Sequence, residues 1–157
     1  MENPEKDEFY GLCAAIGLIV LNWGIAEHML DGCVKIVFDN YGGNKVEEDL
    51  PRMLGRKTDF LRKCAKLPQL AKFKQTTTDI IDKFDSLAEQ RHNLIHGAIT
   101  SLTPQNGRFE FRKFDIKKQQ ITVHHSHLDH VSFDILVGEI LDLGGKTGDL
   151  GLALSNS

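Results

Sequence analysis

The chain has few cysteines and no closely spaced pair: Cys13, Cys33 and Cys64 lie far apart among apolar neighbours. An odd number of thiols without a Cys-x-x-Cys step excludes a disulfide framework and leaves three reduced core residues, as in a cytoplasmic protein. Excess charge of one sign is also missing. With 19 Lys and Arg against 22 Asp and Glu, the net charge of -3 gives no global attraction to nucleic acid or to an anionic membrane. The apolar run from Phe9 to Ala26 nearly reaches the length of a bilayer span, but Asn22 interrupts it and Glu27 and His28 follow at once. Glu2, Glu5, Lys6, Asp7 and Glu8 before it lack the basic flank of a signal peptide, so no membrane insertion is expected. Gly144-Gly145-Lys146-Thr147 is not a phosphate-binding loop, because Ile140 stands where that motif needs its first glycine and a helix precedes it instead of a strand. Repeats and low-complexity blocks are absent.

What is present is an ordinary soluble composition, 41% hydrophobic and 26% charged over 157 residues, enough for one core and one domain over residues 1–157. Leu70, Phe73, Thr77, Ile80, Phe84, Leu87, Arg91, Leu94 and Ala98 follow at alternating steps of three and four, the spacing of a buried helical stripe. Arg91 is the one charge in it. Ile16, Val20, Trp23, Glu27, Leu30, Val34, Val37 and Tyr41 make a second stripe, interrupted by one carboxylate. An unpaired buried charge costs several kcal/mol, so Glu27 and Arg91 are expected to face each other, either as a structural ion pair or as a functional arginine held by a carboxylate.

The helices are expected over residues 7–40, 50–67, 69–97 and 127–143. Gly42 and Gly43 stop the first, Pro51 stands at the start of the second, and Gly97 ends the third. After Gly97 the apolar period falls to two, and three short strands are expected over 98–102, 108–114 and 120–125. The first two are joined through the turn Thr103-Pro104-Gln105-Asn106-Gly107. The glycine-rich tail, 144–157, is expected to be loose. The first helix is too apolar for one neighbour, with Leu12, Ile19, Ile25 and Met29 off its main stripe, so a homodimer through the first and third helices is expected.

Arg91-His92-Asn93-Leu94-Ile95-His96 carries the chemistry. Helical geometry sets His92 and His96 about 40° apart on one face and Arg91 about 140° from His96, a gap that a long guanidinium can bridge. The last-turn position of His96, beside unpaired carbonyls, favours a protonated ring. A histidine that moves a proton beside an arginine that holds a phosphate is sufficient for RNA cleavage, because the 2'-hydroxyl of the RNA is the nucleophile. No cofactor or metal is required.

These residues resemble the arginine, four-to-six residues, histidine motif of the HEPN superfamily, and Leu21-Asn22-Trp23-Gly24-Ile25-Ala26-Glu27-His28 looks like its first long helix. The resemblance covers the helical parts, about 9–97 and 128–143. It implies a mainly α fold, an antiparallel four-helix bundle, here with a small three-stranded antiparallel β insertion between the third and last helices. It also implies a dimeric, metal-independent ribonuclease of toxin or phage-defence type, with RNA as substrate and an antitoxin protein as partner. Arg91 and His96 would be catalytic, with His92, Asn93 and Glu27 in support. The alternative is a non-catalytic interaction or nucleotide-sensing module whose Glu27 and Arg91 are structural.

Between Pro51 and Lys74 eight cations face only Asp59, and Arg52, Arg56, Lys57, Arg62 and Lys63 are candidates for binding nucleic acid, or else a solvated helix face. His124, His125, His127 and His130 are dense, but His124 and His125 point to opposite sides of a strand, so a polar junction is expected there in preference to a metal site.

Overall fold

The computed structural model describes residues 4–101 and 106–157, with side chains from residue 7 onward. The chain is mainly helical, with four α-helices and one three-stranded antiparallel sheet among the described residues: α1 (Pro4–Asn40), α2 (Leu54–Cys64), α3 (Lys74–Ile95), β1 (Ala98–Ile99), β2 (Phe109–Lys117), β3 (Gln120–Leu128) and α4 (His130–Ser155). It divides into two compact units, one of Met1–Leu21 with Ala88–Glu139 and the other of Asn22–Leu87 with Ile140–Ser157.

In the second unit the expected stripes form the core. Leu70, Phe73, Thr77, Ile80, Phe84 and Leu87 are all buried, as are Trp23, Leu30, Val34 and Val37. Trp23 meets Phe84 edge to face with centroids 5.8 Å apart, a geometry that adds to their burial. Helix α1 stops as expected at Gly42, whose φ of 80° suits glycine. Gly43 is needed for space, since a Cβ there would lie 2.6 Å from the ring of Phe60 and 2.8 Å from Cα of Phe38.

Three boundaries differ from expectation. Pro51 is buried and the chain stays extended through Met53, so α2 starts at Leu54. Pro68–Phe73 is a 3-10 helix leading into α3. The tail is not loose, because α4 runs on to Ser155. Its glycines are packing surfaces: Cβ atoms at Gly144, Gly148 and Gly151 would touch Ala26, the sulfur of Met29 and the sulfur of Cys33 at 3.5–3.7 Å. Leu150 and Leu154 are buried, and Tyr41 donates to the Leu154 carbonyl at 2.7 Å.

Cys33 donates to the Thr147 carbonyl, and burial pushes its thiol up to about 12 and that of Cys64 up to about 11, so both stay protonated. Cys13 is exposed and is not a core residue.

In the first unit, Leu12, Ile19, Leu94, Phe109, Phe111, Phe133 and Leu136 are buried, and Phe111 meets Phe133 edge to face at 6.4 Å. Leu12 and Ile19 are therefore core positions and Val20 is exposed, so the buried stripe of α1 ahead of Trp23 is not the expected one. β1 is shorter than expected, Ala98–Ile99 only, whereas β2 and β3 are longer. β2 and β3 pair from Phe109↔Leu128 to Lys117↔Gln120 around the turn Lys118-Gln119, both at positive φ, a two-residue hairpin made without glycine or asparagine. Asn106 and Gly107 take the positive φ expected of them, whereas Leu102, Thr103, Pro104 and Gln105 of the expected strand and turn lie outside the described residues, as does Glu2.

Candidate active site

The last turn of α3 carries the residues singled out in the sequence. The amide of His96 donates to the His92 carbonyl at 3.1 Å, one residue past the regular helix, and the two imidazole rings lie 4.5 Å apart on one face. Both are exposed, whereas Arg91 and Asn93 are half-buried. The Nε of Arg91 is buried and has no hydrogen-bond partner among the described residues, an unmet donor that calls for an explanation. Burial, then the charges of Lys113 and His96, push His92 below its ordinary value, with Asp115 opposing and Arg91 assisting, so its ring is neutral at pH 7.

The regular helix ends at Ile95, two residues short of the expected Gly97, and Gly97 is needed for a close approach. A Cβ there would meet the Asn93 carbonyl oxygen at 2.5 Å and Cβ of Phe111 at 3.2 Å, and the backbone that follows pairs with β2 through Ala98↔Arg112. The sheet is thus tied to the chain that carries His96.

Strand alternation sets Phe109, Phe111, Lys113 and Asp115 on one face with His124, which stands opposite Lys113. Asp115 accepts there from two groups, Lys113 Nζ at 2.9 Å and His124 Nε2 at 2.9 Å, and the lysine first, then the histidine, hold its carboxyl below the usual range. The charged residues that act on His92 therefore come from the hairpin as well as from α3. Sequence reasoning passed over Lys113 and Asp115, although a strand's period of two sets them on the same face as the buried Phe109 and Phe111.

The opposite face holds a separate cluster. Glu110 binds Arg112, His125 and Thr100 at 2.8–3.2 Å, and these hydrogen bonds, Arg112 first, lower its carboxyl to about 2. Since the folded value lies below the ordinary 4.5, the carboxylate favours the fold above pH 4.5, and that contribution is lost as pH falls toward 2. Carboxyl carbon NMR is expected to show Glu110 still ionised at pH 3, whereas titration near 4.5 would dismiss the cluster. His124 and His125 do point to opposite sides, and no group of His, Cys, Asp and Glu suited to a metal occurs among the described residues.

In the second unit, Glu27 has partners of its own. Its carboxylate accepts from Trp23 Nε1 at 3.0 Å and lies 3.9 Å from Lys57 Nζ, which also pairs with Asp31. Lys57, whose side chain is 8% exposed, is the buried cation here. Spacing along a basic helix does not reveal which of its cations turns inward, so Lys57 was not singled out as a partner of Glu27.

The candidate nucleic-acid cations are largely taken in the same way. Arg56 and Lys63 pair with Glu47 at 3.0 and 2.7 Å, and Arg62 with Asp82 and Asp85 at 2.8 and 2.6 Å. Arg52 lines a cleft of about 1120 Å³ with Ile25, Met29, Leu141 and Leu152. Arg56, Arg62 and Lys63 of α2 thus each have a carboxylate partner, with Arg56 and Lys63 exposed and Arg62 half-buried. Comparison with protein-family models, curated proteins and solved structures returns no match for this chain.

Proposed function

We propose that the chain is a metal-independent endoribonuclease of the cytoplasm, with Arg91 binding the scissile phosphate and His96 moving the proton. The observation that carries this reading is Arg91 itself, whose Nε is buried with no hydrogen-bond partner among the described residues, in the helical turn where the His92 and His96 rings meet. Glu27 has Trp23 and Lys57 as partners, which takes away the reason to treat Arg91 as its counterion. A planar guanidinium with donors to spare suits a phosphate, and exposed imidazoles at a helix end can exchange protons with a substrate. The arginine, four residues, histidine spacing, which resembles that of HEPN ribonucleases, supports the same chemistry. Incubation with single-stranded RNA and with DNA of the same sequence, both in excess chelator, tests the reading: RNA alone is cut if it holds, and cleavage of both or of neither refutes it.

A homodimer belongs to this proposal, with its interface moved from the expected helices. α1 is long and apolar enough to cross a membrane by length and composition, yet one of its faces lies in the core. On another face, Leu18, Leu21, Ile25 and Met29 recur at steps of three and four and are exposed, and α4 leaves Val131, Ile135, Leu141 and Leu152 exposed. No large apolar residue of α3 is exposed. A second copy seated on the cleft that Ile25 and Met29 of α1 line with Leu141 and Leu152 of α4 would cover these four residues. Sedimentation is expected to give a dimer at micromolar concentration that Ile25→Glu converts to monomer, whereas a wild-type monomer at that concentration would end the proposal.

A further inference from the structure

In-line displacement at phosphorus requires a base on the attacking 2'-oxygen and an acid on the leaving 5'-oxygen, at opposite sides of the phosphoryl group. His92 and His96 stand one turn apart on one helix face with rings 4.5 Å apart, so they cannot flank a phosphate. A group from another element is needed. β3 supplies His124 on the face of the sheet whose Phe111 lies against Gly97, directly across from Lys113.

The Asp115 carboxylate is ionised and can only accept, so its 2.9 Å contact holds a proton of His124 on Nε2, and in the neutral ring the lone pair is then on Nδ1. Lys113, 12% exposed in its side chain, is held by the same carboxylate and acts electrostatically on His92, which places its charge at the end of α3. The charged and titratable groups gathered there are Arg91, His92 and His96 from α3 with Lys113, Asp115 and His124 from the hairpin.

Resting on the ribonuclease reading, we propose that the hairpin completes the active site. His124 is the general base, oriented by Asp115, and Lys113 stands with Arg91 as a second cation for the phosphoryl oxygens. Nδ1 of His124 takes the proton of the 2'-hydroxyl, the 2'-oxygen bonds to phosphorus, the bond from phosphorus to the 5'-oxygen breaks, and His96 gives its proton to that oxygen. The products are a 2',3'-cyclic phosphate and a 5'-hydroxyl. His124 and Lys113 are catalytic residues, and Asp115 is a positioning residue.

Uridylyl-adenosine is the probe, with His124→Ala, Asp115→Asn, Asp115→Glu, Lys113→Ala and, on the opposite face of β3, His125→Ala. His124→Ala is expected to lower kcat about 10²- to 10⁴-fold with KM nearly unchanged, and added imidazole to restore part of the rate. Asp115→Asn should lower kcat less and Asp115→Glu should recover some of it, Lys113→Ala should slow turnover, and His125→Ala should match wild type. Wild-type turnover in His124→Ala, beside an inactive His96→Ala, would remove the hairpin from the mechanism and leave the ribonuclease reading standing. A wild-type chain that fails to cut the probe would overturn both.

A second readout does not depend on turnover. Titration with the 2'-deoxyuridine analogue, followed by NMR at the histidine Cε1 protons, should move His96 and His124 together with one dissociation constant. A His124 signal that stays still while His96 moves would overturn the proposal.

Discussion

His96→Ala is expected to lower RNA cleavage about 10²- to 10⁴-fold while leaving the thermal melt nearly unchanged. The rate effect follows from removing a positioned acid, whose contribution is of that size. The fold should survive because the His96 side chain is exposed and lies past the last regular turn of α3. Arg91→Lys separates function from counterion. Lysine keeps the charge but loses the planar fork and its Nε donor, so a phosphate-gripping arginine should lose most activity on exchange. Retained activity in Arg91→Lys, or equal rates for His96→Ala and wild type, would return both residues to structural roles.

Phe84→Ala is expected to cost about 3–5 kcal/mol, the usual penalty for deleting a buried phenyl ring. Phe84 is fully buried on the central stripe of α3 and takes the edge-to-face contact of Trp23. That indole also donates to Glu27, whose carboxylate faces Lys57, so the cavity would loosen a chain of contacts from α3 through α1 to α2. Urea unfolding should show a lower midpoint at an unchanged slope. A loss below about 1 kcal/mol would mean that the stripe is not the core of its unit.

The stripe of α3 was legible because burial on one face imposes a period close to 3.6, and Leu70 through Leu87 obey it without exception, whereas that of α1 was legible only from Trp23 onward. The end of α1 was legible from Gly42. The glycines of α4 misled, since a glycine that lets helices approach looks in sequence like one that stops a helix, and only the contacts of Gly144, Gly148 and Gly151 distinguish the two roles. Lys118-Gln119 gave no sign of a turn because neither residue prefers positive φ.

At the candidate site, Arg91, His92 and His96 came from local spacing, and the structure gathers them at one helix end. Glu27 was matched to Arg91 because both interrupt apolar stripes, but periodicity ranks positions within a helix and is silent on which neighbour supplies the countercharge. Lys57 was hidden among the other cations of its segment. Lys113, Asp115 and His124 meet only through strand register, which a slip of one residue would have reversed.

The nature of the ends left on cut RNA tests the central claim most directly. Wild-type protein and end-labelled single-stranded RNA, incubated in excess EDTA and resolved by mass spectrometry, are expected to yield fragments ending in 2',3'-cyclic phosphate with 5'-hydroxyl partners. Intact RNA, or 3'-hydroxyl and 5'-phosphate ends that appear only when divalent metal is restored, would contradict a site built from Arg91 and His96.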